Sequence, residues 1–409
     1  MNGSERPDLI ARFDAGLLAH ERELIETACA WVEAHDTHLY LVGGSVRDLV
    51  LGRDRLDLDL AIEGDALALA RVLAARFAAR LTAHEQFGTA ALEGMGWTLD
   101  LVRTRAERYT APAALPEVGP GSIDDDLARR DFTVHAMALR LYQPGRGVLL
   151  DPFGGERDLI NRVYRVLHED SFRDDPTRIL RLARYVARLG FGVEPRTLAF
   201  AWRDAGYIDL LSPARIAHEL ERGFAERLPE LMLATLDELH AVPRVFGEAL
   251  PVAALPARFD RLRDDGGPRP AMAEYVCTIA AGWPRVALER LSRRIELRQD
   301  AITALHDLPS ARRALRELVE ERAPPGRVVE ALGRCALAAV RGAAAAAGGS
   351  NARLVRRYLR EWRELRPRLR GDDLIALGAP RGPRIGELLR ALTAARLDGA
   401  LPNRAAEEA

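Results

Sequence analysis

Two aspartates separated by one leucine, Asp57 and Asp59, are the residues whose types and spacing imply chemistry most directly. In an extended segment alternate side chains share a face, so Leu56-Asp57-Leu58-Asp59-Leu60 puts both carboxylates on one side and the leucines on the other. Like charges held side by side cost free energy unless a cation lies between them. Mg²⁺ suits the position, because it takes one or two carboxylates and completes its shell with water and phosphate oxygens. Upstream, Gly43-Gly44 is a turn without Cβ atoms whose N–H groups can approach an anion closely. The pattern predicts a buried strand over 39–42 before the turn and a short helix over 45–51 after it, stopped by Gly52. The positive end of that helix and the Arg47 guanidinium then face the same anion. Within residues 41–60 these features describe a site for a metal-bound polyphosphate.

Positioning such a site requires strands and helices in alternation, and residues 37–166 read that way. A helix is expected over 65–80 and strands over 89–92 and 97–102, the last carrying Asp100 between leucines as a third carboxylate if its strand lies beside the first. Residues 103–122, with Pro112, Pro116 and Pro120, read as a long loop. Arg129 and Arg130 form a fork for phosphate oxygens, and Asp131 beside them can accept from a ribose hydroxyl. Asp151-Pro-Phe-Gly154-Gly155 reads as a strand end and glycine turn.

From residue 167 the chain turns helical. Asp175 stands at or near an N-cap with Pro176 at the first helical position. Arg178, Arg181 and Arg184 recur every third residue as a winding cationic ridge beside an apolar face that includes Ile179, Leu182 and Val186. A carboxylate accepts and a guanidinium donates, so Asp175 and Arg178 together can read the Watson–Crick edge of a base.

Gly43-Gly44-Ser-Val-Arg47-Asp48 followed by Asp57-Leu-Asp59, with Arg129-Arg130-Asp131-Phe132-Thr133 and Asp175–Arg178 downstream, resembles the signature of the class II tRNA nucleotidyltransferase and bacterial poly(A) polymerase family. The resemblance implies a polymerase-β-type α/β head followed by an all-α neck, body and tail. It implies Asp57 and Asp59 as ligands of Mg²⁺ and Asp100 as a further catalytic carboxylate. Gly43, Gly44, Arg47, Arg130, Asp131, Asp175, Arg178, Arg181 and Arg184 would bind the incoming nucleotide, with Asp175 and Arg178 selecting CTP and ATP in place of a template. Residues 103–122 match a loop implicated in the switch to the last nucleotide, with Ala113 where the family places glycine, and His135 stands where it usually has Asn. The implied reaction restores the 3′ CCA of tRNA. Poly(A) synthesis, A-only or CC-only addition, and a catalytically silent RNA-binding protein are the alternatives.

The 409 residues favour two to four compact units, and the chain is read as five segments, 1–36, 37–166, 167–225, 226–335 and 336–409, for the N-terminal helices, head, neck, body and tail. No apolar run is long enough to span a membrane and the N-terminus has no signal-type apolar core, so a cytoplasmic protein is expected. Cys29, Cys277 and Cys335 are dispersed among apolar residues, as reduced thiols would be. The net charge of −1 conceals clustering. Alanine-rich residues 336–349 read as a join, and beyond them Arg353, Arg356, Arg357, Arg360 and Arg363 fall on a helix expected to track RNA phosphates over 351–370. The segment from Gly371 to Gly386 resembles the family's tail signature, in which a glycine turn offers N–H groups to phosphate.

Overall fold

A computed structural model describes residues 3–53 and 57–409, so the expected strand residue Leu56 lies outside the described residues. The chain forms two compact units, Met1–Leu210 and Leu211–Ala409. The first opens with β1 (Gly3–Glu5), α1 (Pro7–Gly16), α2 (Ala19–Ala34), β2 (Leu39–Val42), α3 (Gly44–Val50), β3 (Leu58–Ile62) and α4 (Ala66–Phe77). It continues with β4 (Arg80–His84), β5 (Thr89–Gly94), β6 (Trp97–Arg103), β7 (Arg105–Arg108), β8 (Glu117–Pro120) and α5 (Ile123–Ala128). Then follow β9 (Ala138–Arg140), β10 (Val148–Leu150), α6 (Gly155–Ile160), β11 (Val163–Tyr164), α7 (Ser171–Asp174), α8 (Thr177–Leu189), β12 (Gly192–Val193) and α9 (Pro195–Asp204).

Eight strands make a mixed sheet in the order β1-β10-β9-β2-β3-β6-β5-β4. Its centre is the Leu-Tyr-Leu-Val of β2, buried at every position because neighbours cover both faces. The one parallel pair among these strands, β3 with β6, sets Asp59 opposite Asp100. At the other edge β4 is largely exposed, as a charged edge strand can be. The helix expected to reach residue 80 therefore ends earlier. Asp65 caps its start by accepting from Ala68 N at 3.0 Å, and Ala78 closes it in the left-handed region at φ 48°.

Two further expectations change. Residues 103–122 are ordered as a hairpin, β7 pairing with β8 from Arg105 opposite Pro120 to Arg108 opposite Glu117. Proline at a strand end is compatible with an edge pair, which the count of prolines alone did not suggest. Pro176 is the N-cap of α8 and Thr177 its first residue. Asp175 caps this start from one position earlier, its Oδ1 accepting from Thr177 N at 3.0 Å.

The second unit is helical. Its centre is the helix Leu337–Ala347, packed against Met272–Ala280 so closely that a Cβ on Gly342 would lie 2.5 Å from Cys277 Cβ. The alanine-rich segment is thus buried core and not a join, because small side chains let helix axes approach. Within it Arg341 is fully buried and bonded to Asp265 at 2.7 Å and Glu274 at 3.0 Å. The arginine helix is shorter than expected: Gly349–Arg357 passes into one π-helical turn, Tyr358–Trp362, and ends there. No helix among the described residues is long and apolar enough to cross a membrane.

α6 sits on the Asp131–Thr133 segment through Gly155, where a Cβ would lie 2.2 Å from the Thr133 carbonyl oxygen. Gly155→Ala therefore has to push backbone apart, and we expect it to cost about 1–3 kcal/mol, read as a lower midpoint in thermal unfolding of the purified protein.

Candidate active site

The glycine turn is built by dihedral angle and by proximity. Gly43 has φ 64°, open to glycine and strained for other residues. A Cβ there would lie 2.6 Å from Arg130 Nη1, whereas one on Gly44, already the first residue of α3, would meet only ordinary contacts. Asp59 lies on β3 just beyond the turn, and the Ser45 hydroxyl donates to its Oδ2 at 3.0 Å.

Burial, and then repulsion from Asp100 and Asp57, hold the Asp59 carboxyl above its ordinary range against the Ser45 hydrogen bond and the positive charge of Arg130. Burial and then Asp57 raise Asp100 in the same sense. Asp59 and Asp100 are therefore placed where negative charge is already in excess, a condition that a hard cation relieves. Among the described residues no three Asp, Glu, His or Cys side chains stand together at metal-ligand geometry. Asp59 on β3 stands opposite Asp100 on β6, with Asp57 one residue before β3.

Arg47 does not face the anion directly, as its position after the turn suggests. It is buried instead, and all three guanidinium nitrogens are used within the chain: Nε and Nη2 donate to Asp48 at 2.9 Å and Nη1 to His135 Nε2 at 2.8 Å. A guanidinium has no lone pair to offer, so His135 Nε2 must accept and its proton sits on Nδ1. That proton is donated to Asp131 Oδ1 at 2.9 Å. The other oxygen of Asp131 accepts from Arg181 Nε and Nη2 at 2.9 and 2.6 Å. A chain Asp48–Arg47–His135–Asp131–Arg181, buried at its centre and half-buried at both ends, thus runs from the glycine turn to α8. Burial alone would raise Asp131, but Arg181 and His135 overcome it and hold the carboxyl well below its usual range. Burial, helped by Arg47 and Arg181 and opposed by Asp131, holds His135 below its ordinary value.

Both oxygens of Asp131 are therefore engaged in this structure, and a ribose hydroxyl would have to compete with His135 and Arg181. Arg129 and Arg130 do not project as a free fork either. Each donates to a different oxygen of Asp126, at 2.6 and 2.7 Å respectively. Asp126 is fully buried and carries no motif of its own in the sequence, although its spacing of three and four residues before the two arginines is the helical ion-pair spacing. Arg130 Nη1 remains against the Gly43 turn and also donates to the His135 carbonyl at 3.3 Å.

On the α8 ridge Arg178 and Arg184 are buried and Arg181 is half-buried. Arg178 donates to Ser171 Oγ and to the Arg129 carbonyl, both at 2.7 Å, and its guanidinium carbon lies 6.0 Å from the Tyr109 ring centre. Arg184 covers the Tyr185 ring at 4.4 Å. Tyr109 belongs to the hairpin connection, and so does Ala113, whose N–H donates to the Arg173 carbonyl at 3.0 Å. Ala113 adopts φ 60°, the conformation that glycine, expected at this place, would adopt without strain. In the second unit Arg353, Arg356, Arg357 and Arg360 are exposed, Arg363 is half-buried, and Tyr358 and Trp362 are buried beneath them. At the tail signature the carboxylate of Asp373 already accepts from Arg370 N at 2.7 Å.

Residues 39–165 match the poly(A) polymerase head domain. An A-adding tRNA nucleotidyltransferase of Halalkalibacterium halodurans is 34% identical over 377 residues, covering 90% of this chain and 86% of that protein. The chain belongs to the tRNA nucleotidyltransferase family. A CC-adding tRNA nucleotidyltransferase of Deinococcus radiodurans is 46% identical over 173 residues, 40% of this chain and 44% of that one. The Thermotoga maritima CCA-adding enzyme complexed with tRNA superposes with a TM-score of 0.76 at 26% identity, covering all of this chain and 98% of its own. This nucleotidyltransferase therefore has the polymerase-β-type head and helical remainder that its motifs implied. Members of the family differ in which part of CCA they add.

His135 joins two charged groups by one donor and one acceptor, and an Asn amide also has one of each. We expect His135→Asn to keep nucleotide addition within a few-fold of wild type, whereas His135→Ala leaves buried partners unmet and costs about 1–3 kcal/mol of stability. Because the folded value lies below the ordinary 6.5, the unfolded chain binds one more proton in that window. Wild-type stability then falls with falling pH below 6.5, by up to about 1.4 kcal/mol per unit from this group. His135→Asn should lose that slope, which chemical denaturation at a series of pH values measures.

Proposed function

We propose that this chain adds nucleotides to the 3′ end of tRNA without a template, using CTP and ATP to complete CCA with release of pyrophosphate. The observation that carries the reading is the pair Asp57 and Asp59, set beside the Gly43-Gly44 turn in a chain of this family. In the proposed reaction the tRNA 3′-hydroxyl attacks the α-phosphate in line. Mg²⁺, when held by Asp57 and Asp59, supplies stabilisation of the charge developing on the reacting oxygens.

The chain's own residues supply position. Ser45 fixes the Asp59 carboxylate. The Gly43-Gly44 turn would offer backbone N–H groups to the triphosphate, and Arg130, which occupies the space a Cβ on Gly43 would need, would add positive charge beside it. The hydrogen-bonded chain through Arg47, His135, Asp131 and Arg181 holds the turn in fixed register with α8, where Asp175, Arg178 and Arg184 would meet the base. In the second unit the exposed Arg353, Arg356, Arg357 and Arg360, with Arg363, would track tRNA phosphates.

A second reading, addition of the terminal A alone, is favoured by the near full-length match to an A-adding enzyme. Incorporation of labelled CTP and ATP into tRNAs ending before CCA, after the first C and after both C residues separates the readings. Complete CCA addition is the expected result. ATP use restricted to the last substrate would establish the A-adding reading, and long adenosine tails on any RNA would establish poly(A) synthesis.

Asp57→Asn and Asp59→Asn should each lower addition by about a thousandfold, the several kcal/mol a metal contributes, with the circular dichroism spectrum unchanged and Mg²⁺-induced thermal stabilisation lost. Turnover near wild type in either variant would remove the two-carboxylate mechanism. If Asp175 and Arg178 choose the base, Asp175→Ala should reduce the kcat/KM preference for CTP and ATP over UTP and GTP by about tenfold to a hundredfold. An equal fall for all four nucleotides would make the residue a positioning element.

A further inference from the structure

The second unit contains a cleft of about 400 Å³, within the size range of small-molecule sites. The helices Leu255–Arg263, Gln299–Glu320 and Leu337–Ala347 contribute its walls. Arg258, Arg312 and Arg316 line it, and no aspartate or glutamate does. Among the described residues, none of these three arginines has a hydrogen bond or ion pair within the chain. Other arginines of the same unit are matched: Arg263 with Glu230 and Asp260, Arg290 with Glu248, and Arg341 with Asp265 and Glu274. The unmatched set is also mutually repulsive. Arg312 and Arg316 are one turn apart on the same helix face, where like charges destabilise. Burial, and then the neighbouring Arg261, lower the Arg258 guanidinium from its ordinary value. A phosphate group relieves both conditions, and guanidinium forks match its oxygens.

The rest of the lining asks for something other than an anion. Asn351 Oδ1 is buried in the same cleft without a hydrogen-bond partner. A carbonyl oxygen only accepts, so the group it lacks is an N–H or O–H donor, and a phosphate oxygen does not supply one. The amide carries its own donor beside that acceptor. This pair of groups is complementary to adenine, whose N6 amino group donates and whose N7 accepts. Trp283 lines the cleft too, and aromatic side chains are platforms on which bases stack. A two-ring purine covers more of an indole than a pyrimidine does. Phosphate at one end and an amino-bearing purine at the other belong to one class of molecule.

We propose that this cleft binds a free adenosine phosphate, with Arg258, Arg312 and Arg316 on the phosphate, Asn351 on the edge of the base and Trp283 against its face. The cleft lies within the second unit and uses none of the residues assigned to nucleotide addition. It is therefore a second nucleotide site, separate from the one that supplies the reaction.

AMP is the probe, because it has the base and the phosphate but no pyrophosphate to release. Isothermal titration compares its binding, and that of GMP and pyrophosphate, to wild type, Arg312→Gln/Arg316→Gln and Asn351→Leu. The arginine variant should bind AMP at least about tenfold more weakly, as loss of charged hydrogen bonds implies. Wild type should prefer AMP to GMP by about tenfold, and Asn351→Leu should lose that preference while binding pyrophosphate as wild type does. In both variants kcat, KM for CTP and ATP, and Kd for tRNA should match wild type. The unliganded arginine variant should keep or raise its thermal midpoint, since repulsion is removed. If the double substitution fails to fold, Arg258→Gln, on a different helix, carries the same comparison. Equal AMP affinity in all variants would overturn the site. AMP and GMP bound alike by wild type and by Asn351→Leu would overturn the adenine assignment in favour of a simple anion. Weaker tRNA binding by the arginine variant with AMP binding unchanged would assign these arginines to RNA and overturn the proposal.

Discussion

One buried carboxylate, Asp131, ties the catalytic end of the sheet to the helix that follows it. It accepts from its neighbour's backbone N–H, Phe132 N at 2.9 Å, from His135 on the same oxygen, and from Arg181 on the other. A buried charge is tolerable only when so completely matched, and removing one partner of such a pair typically costs about 3–5 kcal/mol. Because Arg181 belongs to α8 and His135 passes the connection on to Arg47 beneath the Gly43-Gly44 turn, the position of α8 and the shape of the turn are not independent. Arg178, held by Ser171 and by the Arg129 carbonyl, adds a second tie between the same helix and the same block.

The acids of the first unit divide by this criterion. Asp126 and Asp158 are fully buried and each is met by arginine. Although burial raises the Asp126 carboxyl, Arg130 and Arg129 together hold it below its ordinary range. Asp59 and Asp100 behave oppositely, each raised by burial and by a neighbouring acid. Carboxylates that stabilise the fold are thus distinguished from carboxylates that burden it, and the second kind lie together on adjacent strands.

The fold class was legible in the sequence because its determinants are local. The apolar alternation around Asp59 predicts its strand, although β3 begins at Leu58 and leaves Asp57 just before it, and Gly43 takes φ 64° as a tight turn there requires. The extents of β2, β5, β6 and α3 follow from apolar runs and stop residues in the same way. Side-chain partners across long stretches of sequence were not legible. Arg47, Arg130 and Arg178 look identical as free cations or as buried donors; Asp48 and Asp126 lie within four residues of Arg47 and Arg130, but only tertiary packing decided that His135 would also hold Arg47 and that the Arg129 carbonyl would hold Arg178. The hairpin within residues 103–122 was hidden for a related reason, since its strands are defined by pairing with each other and not by apolar alternation. The alanine-rich helix looked like a join because small residues carry little apolar signal, yet their smallness is what lets Gly342 approach Cys277. Sequence by itself determined the residue types and local geometry of the site. Tertiary structure decided which charges were left unmatched, because matching depends on distances that no local pattern encodes.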